Sequence, residues 1–131
     1  MKKSVSVVLA AMLTAMLLAG CSSYVSSYSA VALITSNVSD SAYMDYWQLT
    51  GTMVFDLKAK ENGSRLKYSG EVGSGSVTVY YDDDGNKKEL FTLKDNERVE
   101  DSLDLSGTGK IYVIVETDGK SENGEFRFEI Q

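Results

Sequence analysis

The chain has 131 residues, with 13 basic and 19 acidic side chains and a net charge of −6. That balance repels nucleic acid and anionic head groups, so neither is expected as a partner. Histidine is absent, which removes the commonest general base, the commonest zinc ligand and the usual partner of a serine nucleophile. The chain opens on Lys2 and Lys3, followed by an apolar run from Val5 to Leu18. That run is shorter than the roughly 17–25 residues of a membrane-spanning helix, and its basic start suits a secretory signal. It ends in Leu18-Ala19-Gly20-Cys21, where Cys21 is the only cysteine. An intramolecular disulfide is therefore impossible, and packing must hold the fold by itself.

This opening segment resembles a bacterial lipoprotein signal peptide. The resemblance implies cleavage between Gly20 and Cys21 once the Cys21 sulfur has received diacylglycerol. It makes the membrane a partner through an acyl anchor, on the exported side of a cell membrane or outer membrane. Residues 1–20 would then be the discarded signal helix, and losing Lys2 and Lys3 leaves 11 basic against 19 acidic side chains.

Residues 21–42 are rich in serine and almost without charge, which suits a flexible tether behind the lipidated cysteine. Within them Ala30, Val31, Ala32, Leu33 and Ile34 are apolar enough for an edge strand or a short helical turn. From Tyr43 onward the pattern becomes strand-like. Trp47, Leu49, Gly51, Met53, Phe55 and Leu57 occupy every second position, as one buried face of a strand requires. Leu66, Tyr68, Gly70 and Val72 repeat the alternation, as do Val77, Val79 and Tyr81, and later Phe126, Phe128 and Ile130. Ile111-Tyr112-Val113-Ile114-Val115 is β-branched almost throughout and reads as a central strand buried on both sides. Asn62-Gly63, Asp84-Gly85, Asp118-Gly119 and Asn123-Gly124 each suit a turn that needs positive φ. Residues 43–131 are thus expected to form an all-β domain, a small antiparallel β-sandwich of about seven strands, with a partly closed barrel as the alternative.

The stretch from Leu103 to Val115, with Gly124-Glu125-Phe126-Arg127-Phe128-Glu129-Ile130, resembles the last strands of bacterial pre-peptidase C-terminal β-sandwich modules. Those modules end in a Gly-x-Tyr-x-Val-type strand, a loop and a Gly-x-aromatic strand. The resemblance implies an accessory or binding role.

Few residues suggest a site. Trp47 lies on the alternating apolar face and is expected in the core. Tyr46 and Tyr80, on the opposite faces of their strands, are expected at the surface and are the candidates for stacking on glycan rings. Asp82-Asp83-Asp84-Gly85-Asn86 is the densest run of oxygen ligands. Asp82, Asp84 and Asn86 are its weak calcium candidates, although no EF-hand spacing is met and a hairpin turn with solvated acids explains the run better. The glycines at 70, 73 and 75 precede a strand rather than a helix and carry no phosphate-binding lysine, so they read as a bend or bulge. The acids between Asp95 and Asp104 read as a solvated face rather than a glycosidase pair. No cofactor is implied, and no catalysis. The sequence points to a lipid-anchored binding or structural module that takes an envelope glycan or protein. The alternative is an envelope assembly or inhibitor protein acting through an exposed strand edge. In the native host, Cys21→Ala is expected to abolish uptake of labelled palmitate and move the protein from the membrane to the soluble fraction.

Overall fold

The structure is a computed structural model that describes residues 24–60, 64–106 and 109–131. The signal segment, Gly20 and Cys21 lie outside the described residues. Seven strands form one antiparallel sheet: β1 (Ser27–Val31), β2 (Ile34–Val38), β3 (Ser41–Ala59), β4 (Arg65–Asp82), β5 (Lys88–Leu93), β6 (Glu97–Asp104) and β7 (Gly109–Ile130). The three longest, β3, β7 and β4, lie side by side in that order. β1 and β2 share the free side of β3, and β5 and β6 share the free side of β4. The stretch expected to be a tether is therefore partly paired. Residues 27–31 and 34–38 hydrogen-bond to β3 in a common register, interrupted at Ala32, whose φ is +54°.

The sheet folds over on itself to make a sandwich, because all three long strands change register at the same level. The shifts fall between Thr50 and Thr52 of β3 and between Ser74 and Ser76 of β4, each against extra residues of β7. Gly51 (φ +121°) and Gly75 (φ +93°) stand at the shifts, in backbone conformations that L side chains rarely adopt. Their N–H groups are satisfied by side chains: Thr117 Oγ1 accepts from Gly51 at 2.8 Å, and Asp95 Oδ1 accepts from Gly75 at 2.7 Å. Layer one consists of β2, β6, the first halves of β3 and β4 and the second half of β7. Layer two consists of β5 and the other three halves, and β1 pairs across the bend.

Each half keeps the period of two, but the phase slips at the bend. In β3 the core side runs Ala42, Met44, Tyr46 and then Leu49, Met53, Phe55, Leu57. Both Trp47 and Gln48 fall outside. Tyr46 is thus buried (2% exposed), with its hydroxyl 2.7 Å from Ser121 Oγ, and Trp47 is 53% exposed. This reverses the expectation for the pair, because a single alternation was extended through a phase slip. β7 slips opposite it, from Ser121 to Gly124, with Asn123 at φ +55°. Asp118-Gly119 and Asn123-Gly124 are therefore not turns; their backbones bend one 22-residue strand. Asp84-Gly85 does lie in the connection between β4 and β5, and Gly75 does mark a register shift.

Aromatic side chains fasten the layers together. Phe91 of layer two stacks on Tyr68 (5.4 Å) and Phe126 (6.3 Å) of layer one, and Phe55 meets Phe128 at 6.3 Å. Val113, Ile114 and Val115 are all buried in the middle strand, as the β-branched run requires. Gly124 lies under the Tyr46 ring, where any Cβ would collide with it. Thermal and urea unfolding should show Tyr46→Ala costing about 3–5 kcal/mol as a large-to-small core change. Trp47→Ala should cost under about 0.5 kcal/mol as a surface change. Comparable losses for the two would contradict the phase slip.

Candidate ligand-binding face

Every second residue of layer one faces outward, and the register puts side chains from as many as five strands in rows across it. Ser36, Tyr43, Arg127, Ser69 and Glu100 make one row, and Asp45, Glu125, Glu71 and Arg98 the next. Small side chains at Ser41 and Ser69 leave space between larger neighbours, opening a depression of about 400 Å³ lined also by Lys67, Tyr43, Glu100, Arg127 and Glu129. A second depression of about 170 Å³ shares Ser69 and Arg127 with the first. A third, of about 280 Å³, shares Glu71 and Arg98 with the second and reaches Gly73, Asn96 and Asn123. Together they form one trough across the outside of layer one. Trp47 stands opposite Asn123 at that end, between the paired positions 46–124 and 48–122.

The trough is polar and of mixed sign. The Arg127 guanidinium lies over the Tyr43 ring at 4.4 Å and reaches Glu125 at 3.3 Å. The Tyr43 hydroxyl donates to Asp45 Oδ2 at 3.2 Å, and burial, followed by the Asp45 and Glu125 charges, raises its pKa. Sequence reasoning missed Lys67, Arg127 and Glu129 because each is an ordinary outward polar residue in an alternating strand. Only the register between strands brings them together.

The aromatic candidates do not meet. Tyr46 is in the core, a correction that follows from the phase slip. Tyr80 pairs with Ile114 in layer two, and Lys87 Nζ sits over its ring at 4.3 Å. The acidic run is a tied loop. Asp82 accepts from the Tyr24 hydroxyl (2.6 Å) and from the Gly85 N–H (2.7 Å). Asp84 accepts from the Asn86 N–H at 3.0 Å. The Asp83 side chain, 2% exposed, accepts from Lys88 Nζ (2.9 Å) and from the Ser106 N–H (2.7 Å). Among the described residues no group of three or more Asp, Glu, Cys or His is arranged to hold a metal ion.

No protein-family model matches the sequence, and no curated protein matches it. The fold is similar to that of TmCBM61, solved in complex with beta-1,4-galactotriose. The TM-score is 0.51 and the identity 13%, over 81% of this chain and 87% of that one. Another similar structure is Aeromonas hydrophila PliG, a periplasmic lysozyme inhibitor of g-type lysozyme. Here the TM-score is 0.49 and the identity 17%, over 77% of this chain and 95% of that one. The likeness to TmCBM61 is one of fold.

The Asp83 clasp has a pH signature. Burial alone would raise the Asp83 pKa, but hydrogen bonds from Lys88 and Ser106 outweigh it and hold the carboxyl below its ordinary 3.8. A depressed folded pKa gives stability that is present above the unfolded value and lost as pH falls through the folded one. Lys88→Met should therefore cost about 1–2 kcal/mol at pH 7, less than a fully buried pair because Lys88 is partly solvated. In acid denaturation series the gap between parent and variant should narrow below about pH 4, where the carboxyl takes up its proton.

Proposed function

We propose that this protein is a lipid-anchored, non-catalytic binding module of the bacterial envelope, and that its ligand is a glycan seated in the trough of layer one. The trough carries this reading. It offers donors from Lys67, Arg98 and Arg127 and acceptors from Glu71, Glu100, Glu125 and Glu129, the polar contacts that orient a hydroxyl-rich ligand. Trp47 adds an exposed flat ring beside its end. The fold shared with TmCBM61, which was solved with a bound galactotriose, supports the same reading. The Cys21 anchor would hold the module on the exported side of a cell membrane or outer membrane. Its acyl chains contribute about 0.8 kcal/mol per buried CH₂, so two or more chains make release negligible.

A second reading rests on a different observation. From Ser22 to Ser39 the chain carries no charged residue, and Val25, Tyr28, Val31, Ile34 and Val38 are exposed. The opposite edge carries Lys88, Glu89, Glu97, Arg98, Glu100 and Asp101, the usual protection of an edge strand. A protein partner that pairs with β1 would explain the difference.

Calorimetric titration of the chain from Ser22 onward with peptidoglycan fragments and neutral oligosaccharides separates the two. Binding in the trough should weaken roughly tenfold in Trp47→Ala and in Arg127→Ala, the scale of one lost stacking or charged contact. Tyr80→Ala, in the other layer, should bind as the parent does. If no glycan binds and capture from native envelope yields a protein whose retention is lost in Tyr28→Asp, the edge reading replaces the trough.

A further inference from the structure

Tyr24, the first described residue, is docked. Its hydroxyl donates to Asp82 Oδ2 at 2.6 Å, and its ring meets Tyr112 edge-on with centroids 5.0 Å apart. Two residues on, Ser26 Oγ accepts the Val54 N–H at 2.8 Å. Asp82 and Tyr112 are paired across β4 and β7. Their neighbours Ile111, Val113 and Tyr81 pack on the core side, so alternation puts Asp82 and Tyr112 on the outside of layer two. Residues 24–26 therefore run over the outer face of that layer. The trough opens on the outer face of the other one.

Only Ser22 and Ser23 separate Tyr24 from Cys21, three backbone steps that span about 11 Å at full extension. A free spacer from 21 to 42 would have reached roughly 75 Å by the same measure. The charge of the layer-two face also suits a lipid surface. Lys58, Lys87 and Lys110 stand there against Asp56, Glu89, Glu116 and the buried Asp82, a nearly balanced set in a strongly acidic chain. Two of these lysines are held close to the face, Lys87 by Glu116 (2.9 Å) and Lys110 by Asp56 (3.8 Å).

We propose that a lipid bilayer is the partner of the outer face of layer two: the anchor at Cys21 and the docked Tyr24 lay this face along the membrane and turn the trough away from it. This orientation rests on lipidation of Cys21. It leaves a ligand-binding face open to the space beyond the membrane, and it makes the module a close cover on the lipid rather than a domain on a long leash.

The test uses the full chain, lipidated in a bacterial host and reconstituted into vesicles of phosphatidylethanolamine and phosphatidylglycerol. Because the Cys21 sulfur is consumed, Lys110→Cys and Lys67→Cys each supply a single reactive thiol for a fluorophore. Quencher on the lipid head groups is expected to remove most of the signal at position 110 and little at position 67. Equal quenching at the two positions, or stronger quenching at 67, overturns the orientation. Tyr24→Ala, or a flexible Gly/Ser insertion between Ser23 and Tyr24, is expected to erase the difference while palmitate uptake stays unchanged. A difference that survives both changes overturns the part given to Tyr24. Protein that takes up no palmitate and does not float with the vesicles overturns the anchor itself, and the orientation with it.

Discussion

The concerted bend of β3, β7 and β4 is the constraint on which the rest of the structure depends. A strand crossing from one layer to the other must break its ladder, and each break strands backbone donors that burial would penalise. Gly51 and Gly75 supply the needed backbone conformations, and Thr117 and Asp95 accept the N–H groups that the ladder drops. Because the three breaks are level with one another, the layers share their middle strands and no long loop joins them. Phe91 and Phe55 then fill the gap between layers from one side while Phe126 and Phe128 fill it from the other. Close-packed aromatic contacts of this kind add to the area they bury, which suits a chain that has no disulfide to rely on.

Period-two patterning made most of the fold legible in the sequence. Residues 49–57, 66–72, 77–81 and 126–130 each show the core side that the structure buries, and the β-branched run at 111–115 is the middle of the sheet. What pattern could not show was the phase. Tyr46 and Trp47 are adjacent aromatics, and either suits a core; which one enters it depends on a slip between Tyr46 and Leu49 that has no marker in β3 itself. The marker lies in β7, where Asn123 and Gly119 adopt positive φ within a strand. Asn-Gly and Asp-Gly dipeptides serve turns and strand bends equally well, so the same signal was read as two turns too many. The short uncharged strands β1 and β2 were only half visible, since the apolar run 30–34 offered one edge strand or a helical turn where the structure has two strands parted at Ala32. Their serines and asparagine look like a linker, and their strand state is imposed by pairing with β3 rather than by their own propensity.

The trough was illegible on different grounds. Its residues come from β3, β4, β6 and β7, and none belongs to a motif. Each is the outward partner of a buried neighbour, and alternation alone explains its polarity. Convergence is a property of register, and register between strands far apart in sequence is set by the bends. The acids that did stand out in the sequence, at 82–84, serve the fold instead. Asp82 holds Tyr24, Asp83 holds Ser106 just beyond β6, and Asp84 closes the turn onto Asn86.

That use of the acids bears on how the two outer faces differ. A loop of three carboxylates gathers the start of the domain, the β4–β5 connection and the end of β6 at one end of the sandwich. The carboxylates are held by hydroxyl, amide and ammonium donors, so the loop satisfies its charges internally. The segment around Tyr24 is thereby held in place, while the opposite face keeps its breadth of donors and acceptors. A protein held by one face and binding with the other, as proposed above, would need this asymmetry. The same bend that splits the sheet into two layers is what gives the molecule two outer faces of different character.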